Sequence, residues 1–246
     1  MAQRPKKKTP TEKLLETLDN LKKTPSYALY EAKRREDDSD YFEAIKEHVR
    51  AIIFCKNNEP IEYMKTLDTV KDYIKREQKR AGELKNIFTL KRYFPLLLGA
   101  AAIKDIVKTE FGGLGFADFD ELYRDLMENW KQSVEHLKAR ATKAYTDKKY
   151  TEAYKIYRAI SASAEDISNR VEEDPQKEIR EKYGVEIKNI LAQNMYLKGK
   201  CLERLGKLEE AAEIYRKTQR LANSIDNKSI VRDIERIFKT SLVEYS

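Results

Sequence analysis

Turn-forming residues are scarce in this chain, whose 246 residues include only 8 glycines and 6 prolines. Glycine and proline supply many of the backbone conformations that tight turns need, so a fold of many short strands has too few places to reverse. Long helices joined by few connections need fewer such residues. Hydrophobic residues make up 41% of the chain and charged residues 37%. This composition excludes a wholly disordered chain and favours an all-α fold with charged outer faces.

Apolar residues recur at intervals of three and four along most of the chain, which is the spacing of one helix face. In Ile61–Arg80, for example, Met64, Leu67, Val70 and Ile74 share a face. The alternation typical of half-buried strands does not occur. The pattern predicts further helices over Thr11–Lys23, Ser26–Arg35, Tyr41–Lys56, Leu84–Tyr93, Pro95–Thr109, Asp118 or Asp120 to Thr146, Thr151–Val171, Gln176–Leu205, Glu209–Ser224 and Ser229–Tyr245.

Two features are expected to interrupt this helical pattern. Pro95 lacks the N–H that an interior helical position donates, so it should kink or restart its helix. The segment Phe111–Phe116 contains three glycines. No Gly-Lys-Ser/Thr follows this segment and no strand precedes it, so we interpret it as a flexible connection between lobes and not as a phosphate-binding loop.

The positive charge is concentrated at the N-terminus, where Arg4, Lys6, Lys7 and Lys8 supply +4 of the formal net charge of +7. Such a tail usually stays solvated, and nucleic acid is a partner class that it also fits. No apolar run follows it as in a secretory signal, and no stretch is long and apolar enough to span a bilayer. The two cysteines are isolated and predict no disulfide framework. We therefore expect a soluble, cytoplasmic protein in a reducing compartment.

Two segments of the C-terminal half can be aligned with a shift of 58 residues. Small residues at two places let the backbones of paired helices approach closely, and an aromatic residue one turn later fills the groove against the next helix. The equivalent residues are Ala141 and Gly199, Ala153 and Ala211, and Tyr157 and Tyr215, with a weaker third set of Ala32, Ala44 and His48.

This arrangement resembles the tetratricopeptide (TPR) repeat, which has small residues at these two places and an aromatic residue at the third. Gly206 also stands where the family has its turn glycine. The resemblance implies antiparallel helical hairpins, stacked as an irregular TPR-like solenoid of two to three degenerate repeats. We expect a disordered basic tail over 1–10, an N-terminal helical region with one degenerate repeat over 11–110, and a C-terminal TPR-like region over 117–246.

Tetratricopeptide proteins bind extended peptides or partner helices in a groove lined by the first helix of each hairpin. In this chain, the residues that the alignment places in such a groove combine cations with aromatic rings, which suits an acidic or C-terminal carboxylate ligand. Thr142 and Leu197 stand where chaperone-binding members carry asparagines, so a chaperone tail is not the expected ligand. The resemblance implies a peptide-binding groove lined by Lys138, Thr142, Tyr145, Gln193, Tyr196, Lys200 and Arg204.

No residue pattern predicts catalysis, a cofactor or a metal. His48 and His136 have no ligand-spaced partners, and no acidic pair stands in surroundings that would desolvate it for acid–base catalysis. The leading hypothesis is a non-catalytic scaffold or adaptor that binds a protein or peptide as a subunit of a larger assembly. The alternative is a helical nucleic-acid-associated protein that uses the basic tail and a Lys/Arg/Tyr surface. Phosphate binding would weaken steeply with added salt, which separates the two hypotheses.

Overall fold

The computed structural model describes residues 22–57, 60–172 and 177–244, and these form helices and turns without any strand, so the predicted all-α fold is confirmed. The predicted tail over 1–10 lies outside the described residues, as does most of the predicted helix Thr11–Lys23. A short 3₁₀ turn, Cys55–Asn57, follows the second helix. The α-helices are α1 (Pro25–Asp37), α2 (Tyr41–Phe54), α3 (Pro60–Leu84), α4 (Ile87–Glu110), α5 (Phe116–Thr146), α6 (Tyr150–Glu172), α7 (Lys177–Arg204), α8 (Leu208–Ser224) and α9 (Lys228–Glu244).

Short polar side chains begin the first two helices. The Oγ1 atom of Thr24 accepts a hydrogen bond from the backbone N–H of Tyr27 at 3.2 Å. The Oδ1 atom of Asp40 accepts one from the N–H of Glu43 at 3.3 Å. Each oxygen satisfies an N–H group that the first turn of a helix leaves unpaired. The local sequence therefore determines where α1 and α2 begin.

The helix that contains Pro95 does not restart there, which differs from the sequence prediction. Helix α4 runs from Ile87 to Glu110 without interruption. An interior proline costs about 3 kcal/mol or more because it removes a helix hydrogen bond and crowds the preceding turn. The next residues, Leu96 and Leu97, are both buried, and burying such side chains contributes about 1.5–3 kcal/mol each. Tertiary burial therefore outweighs the local penalty.

The described helices belong to two compact units, each of which combines separate parts of the chain. Unit 1 comprises Met1–Gln78 and Pro95–Asp125, and unit 2 comprises Lys79–Phe94 and Leu126–Ser246. The α1–α2 hairpin lies in unit 1, while α6–α9 and most of α5 lie in unit 2. The division in chain order into 11–110 and 117–246 stays a prediction.

An ionic cluster around the buried carboxylate of Glu36 joins α1, α2 and α3 in unit 1. The Nη2 atom of Arg76 donates a hydrogen bond to Glu36 at 2.7 Å, and the Nε2 atom of His48 lies 3.4 Å from the same carboxylate. The ring of His48 packs on the ring of Tyr73 with centroids 4.2 Å apart. Burial alone would raise the pKa of Glu36, but the hydrogen bond with His48 and the charge of Arg76 outweigh it and hold the pKa below its usual value.

The glycine-rich segment after α4 is packed against α3, whereas we had expected a flexible connection. Tyr63 stacks on the ring of Phe111 with centroids 4.0 Å apart, and its hydroxyl donates a hydrogen bond to the carbonyl of Leu114 at 2.8 Å. Gly115 has a φ of 86°, and a Cβ atom there would lie 2.8 Å from a methyl carbon of Leu67. Glycine is therefore needed for both the backbone conformation and the close approach.

The core of unit 2 includes a buried tryptophan and a group of apolar side chains nearer the C-terminus. Trp130 of α5 is fully buried, and its Nε1–H donates a hydrogen bond to the hydroxyl of Ser163 in α6 at 3.0 Å. Helix α7 contacts both α6 and α8, and α9 packs on α8 and α7. The C-terminal group consists of Ala192, Leu202, Ala211, Tyr215, Ala222, Ile230 and Ile234.

Candidate functional site

The α5–α6 and α7–α8 hairpins reverse through the same backbone turn. Lys148 and Gly206 are 58 residues apart and have left-handed φ angles of 59° and 75°. In both turns, the N–H of the next residue bonds back to a carbonyl five residues earlier, which is a Schellman helix end. The two bonds are Lys149 N to Ala144 O at 2.8 Å and Lys207 N to Leu202 O at 2.9 Å. The α8–α9 connection lies outside the repeat and has the same turn, with a φ of 53° at Asp226 and a bond from Asn227 N to Ala222 O at 2.9 Å, so the repeat stays a prediction.

The α1–α2 hairpin of unit 1 has this turn as well. Ser39 has a φ of 61°, and the N–H of Asp40 donates a hydrogen bond to the carbonyl of Arg35 at 2.9 Å. The weak N-terminal copy of the sequence repeat thus shares the hairpin turn of the two clearer copies. In this copy His48 stands at the aromatic position and is buried there.

The aromatic residue of each C-terminal hairpin is anchored on the first helix. A Cβ atom at Gly199 would lie 2.6 Å from the ring of Tyr215, so the ring lies directly on the glycine backbone. The hydroxyl of Tyr215 donates a hydrogen bond to Glu203 at 2.9 Å. In the preceding hairpin, the hydroxyl of Tyr157 lies 3.1 Å from the hydroxyl of Thr142. Each ring therefore holds the two helices of its hairpin together.

The first helices, α5 and α7, lie side by side and are joined by a ladder of polar contacts. The contacting residues on α5 are seven positions apart, and seven residues are close to two full helical turns, so they lie on one face. We call the surface of α5 and α7 that carries these contacts the α5–α7 face. The contacts are Lys131 Nζ to Glu186 Oε1 at 2.8 Å and Lys138 Nζ to Gln193 Oε1 at 3.2 Å, and Tyr145 of α5 raises the pKa of Arg204 in α7.

Six of the seven predicted groove residues lie in three pairs on this face, two of them between α5 and α7 and one within α7. Thr142 differs, since its hydroxyl is engaged with Tyr157 of α6. Tyr196 also packs in the C-terminal group, with its ring centroid 6.0 Å from that of Tyr215. The three pairs are Lys138 with Gln193, Tyr145 with Arg204, and Tyr196 with Lys200, whose Nζ atom lies 5.6 Å from the ring centroid.

Two cations of the α5–α7 face have no carboxylate partner. The two are Lys200 and Arg204. Lys138, by contrast, has a carboxylate nearby, since its Nζ atom lies 3.5 Å from Oε1 of Glu135. Lys200 lies over the ring of Tyr196, and the neighbouring Tyr145 raises the pKa of Arg204. Among the described residues, neither Lys200 nor Arg204 has a carboxylate within ion-pair distance. The face therefore presents two cations, one helical turn apart, whose charge is not neutralised by an ion pair within 22–57, 60–172 and 177–244.

Helix α9 lies beside this face, which our sequence reasoning missed. The ring of Tyr196 packs against a group that includes Ile230 and Ile234 of α9. Burial, followed by the charge of Asp233, raises the pKa of Tyr196, and the charge of Arg236 acts in the opposite direction. The spacing of Ile230 and Ile234 predicts a buried face on α9, so the sequence did contain a signal that this helix packs on the preceding hairpin.

Other kinds of site receive no positive support from the described residues. Within 22–57, 60–172 and 177–244, no three His, Cys, Asp or Glu side chains are grouped so that they could hold a metal ion. None of the helices in these ranges is long and apolar enough to cross a membrane. No protein-family model, curated protein or solved structure matches the chain. What the α5–α7 face can bind must therefore be inferred from its own geometry.

Proposed function

We propose that this chain is a non-catalytic scaffold or adaptor that binds a protein partner on the α5–α7 face as a subunit of a larger assembly. The observation that carries the proposal is the ladder between α5 and α7, which joins the first helices of two hairpins with the same turn. Side-by-side first helices provide a continuous surface that is long enough for an extended segment or a partner helix. The TPR-like character of the hairpins is part of this proposal.

The chemistry of the face favours an acidic partner segment. Lys200 and Arg204 can pair with carboxylates of a ligand without first breaking an ion pair of their own. Charge-assisted hydrogen bonds of this kind are stronger than neutral ones. Tyr145 and Tyr196 offer ring surface beside the two cations, and tyrosine is enriched where proteins bind one another.

We further infer that the protein acts in a reducing cytoplasmic compartment. Cys55 and Cys201 are both buried as free thiols. Unpaired buried cysteines are usual in such a compartment.

Charge reversal on the α5–α7 face tests the proposed function. The variant combines Lys138→Glu, Lys200→Glu and Arg204→Glu. Lys138 also bonds to Gln193 across the two helices, and partly exposed contacts of this kind contribute about 0–1 kcal/mol each. We therefore expect the variant to keep the helicity of the parent, with at most a small fall in its unfolding midpoint. A reversed charge opposes an acidic ligand directly. Proteins captured from extracts of the native cell are quantified by mass spectrometry, and we expect the variant to lose a set of partners that the parent retains.

A matched control reverses three exposed cations on other helices, Lys155 of α6, Arg220 of α8 and Lys239 of α9. This control should capture the same partners as the parent. Equal capture by all three proteins would place the interface elsewhere. A parallel extract is treated with nuclease, and capture that is lost on this treatment would support the nucleic-acid hypothesis instead.

A further inference from the structure

A cavity of about 300 Å³ lies within unit 2, between the turn that joins α3 to α4 and one side of α5. Three of the residues that line it are buried, Thr89 and Tyr93 of α4 and Leu137 of α5. Gln132 and His136 of α5 also line it and are exposed. The cavity therefore has a buried floor and a rim that is open to solvent. Clefts of about 300–1,000 Å³ are typical of ligand sites, so this one has room for a small molecule.

The α3–α4 turn that forms one wall of the cavity is fixed by hydrogen bonds. Lys85 has a left-handed φ of 46°, and its carbonyl accepts a hydrogen bond from Nη1 of Arg140 in α5 at 3.2 Å. The backbone N–H of Asn86 donates to Oγ1 of Thr89 at 3.3 Å. In return, Oδ1 of Asn86 accepts a hydrogen bond from the N–H of Phe88 at 2.8 Å. This wall is therefore ordered without a ligand, which lowers the entropic cost of binding one.

The polar groups that these bonds leave over are donors. Because the oxygen of the Asn86 amide is engaged, its NH₂ group remains. The Thr89 side chain is only 1% exposed, and its oxygen accepts a hydrogen bond while its proton has no acceptor among the described residues. A buried hydroxyl normally donates its proton, so a ligand oxygen would complete this group. The N–H groups of Phe88 and Thr89 are bonded within the turn, so the remaining donors belong to side chains.

The charges at the cavity favour an anion. Lys85 and His136 both line it, and among the described residues neither has a carboxylate within ion-pair distance. None of the described residues that line the cavity is Asp or Glu. A carboxylate ligand offers two oxygens, whereas a phosphate group offers three and up to two negative charges. Phosphate can therefore accept from more of the donors at this wall, and lysine binds it as a point charge.

We propose that this cavity binds the phosphate group of a small ligand. Asn86 and Thr89 donate hydrogen bonds to the phosphate oxygens, and Lys85 and His136 supply charge at the rim. The site is separate from the α5–α7 face, because the residues of α5 that line the cavity stand on the opposite side of the helix. His136, for example, lies about 140° round the helix axis from Lys131. A ligand in the cavity would therefore leave the α5–α7 face free for a protein partner.

Isothermal titration calorimetry of the full chain at constant ionic strength tests the site with four probes. Inorganic phosphate and glycerol phosphate carry the proposed group, glycerol lacks it, and malonate has two carboxylates instead. We expect a Kd below about 1 mM for at least one phosphate probe, and binding at least about tenfold weaker for glycerol and malonate. Tighter binding of glycerol phosphate than of inorganic phosphate would identify a phosphate ester as the ligand, and equal binding would identify the free ion.

Asn86→Asp separates binding from folding at this turn. Aspartate keeps the oxygen that accepts from Phe88, so the start of α4 and the unfolding midpoint in urea should be retained. It removes the NH₂ donor and adds a negative charge, so we expect phosphate binding to weaken at least about tenfold. Asn169→Asp makes the same change at an exposed position of α6 and should bind as the parent does.

Three results would overturn the proposal. The first is a parent protein that binds neither phosphate probe below about 10 mM. The second is malonate binding as tight as phosphate binding. The third is an Asn86→Asp variant that binds phosphate as tightly as Asn169→Asp does. Lys85→Gln provides a second check, since it removes one charge of the rim and should also weaken phosphate binding relative to the parent.

Discussion

Replacing Gly199 with alanine tests the contact on which the α7–α8 hairpin depends. The new Cβ atom would lie 2.6 Å from Cε1 and 2.9 Å from Cδ1 of Tyr215. Carbon atoms in contact normally stand about 3.5–4.0 Å apart, so the ring must move by about 1 Å. The ring cannot move freely, because it is buried beside Tyr196 and Phe238 and its hydroxyl is bonded to Glu203.

The expected magnitude follows from two opposing effects. Overpacking of a buried site costs about 1–3 kcal/mol. Alanine in place of glycine inside a helix contributes about 0.5–1 kcal/mol in the other direction. Gly184 lies in the same helix, and a Cβ atom there would meet nothing within 4 Å. Gly184→Ala should therefore show the favourable effect alone, and the two variants should differ by about 1–3 kcal/mol in unfolding free energy.

Tryptophan fluorescence during urea unfolding is the appropriate assay. Trp130 is the one tryptophan of the chain and lies in unit 2, which also contains both glycines. The unfolding midpoint should fall for Gly199→Ala relative to Gly184→Ala. Equal midpoints for the two variants would refute the close packing of Tyr215 on α7 and would remove the best structural support for the repeat.

Two further changes test buried polar contacts. Ser163→Ala leaves the Nε1–H of Trp130 buried without its acceptor, so we expect a loss of about 1–3 kcal/mol in urea unfolding followed by fluorescence; an unchanged midpoint would contradict the hydrogen bond. Because the folded-state pKa of Glu36 is lowered from 4.5, its stabilisation is present above that value and is lost as the pH falls below it. Glu36→Gln should therefore lose less stability than the parent between about pH 6 and about pH 3, as measured by circular dichroism in urea, and an equal loss would argue against the ion pairing with Arg76.

Local signals account for the helices whose ends were predicted well. Helix α8 was expected from Glu209 and begins at Leu208, because the left-handed residue Gly206 ends the preceding helix. Helix α3 was expected to end at Arg80 but continues through Gly82 to Leu84. A glycine inside a helix costs only about 1 kcal/mol, so it does not end a helix that packing supports.

The candidate site was predictable in part. The 58-residue repeat placed the groove residues on the first helices of two hairpins, and the structure relates Lys138 to Gln193 and Tyr145 to Arg204 across these helices. The pairing itself, such as Lys138 with Gln193, depends on the register between α5 and α7. The position of α9 beside Tyr196 likewise depends on how separate helices pack. No pattern within one helix specifies either feature.

The sequence by itself determined the helical class, the hairpin turns and the small residues at the helix crossings. These features depend on neighbouring residues: the 3.6-residue period, helix capping and the backbone freedom of glycine act within a turn or two. Only the tertiary structure decided that α4 continues through Pro95, that Tyr63 holds the glycine-rich loop, and that Arg76 of α3 pairs with Glu36 of α1. The physical reason is that burial and electrostatic interactions sum over groups far apart in the chain, and this sum can exceed the cost of an unfavourable local residue.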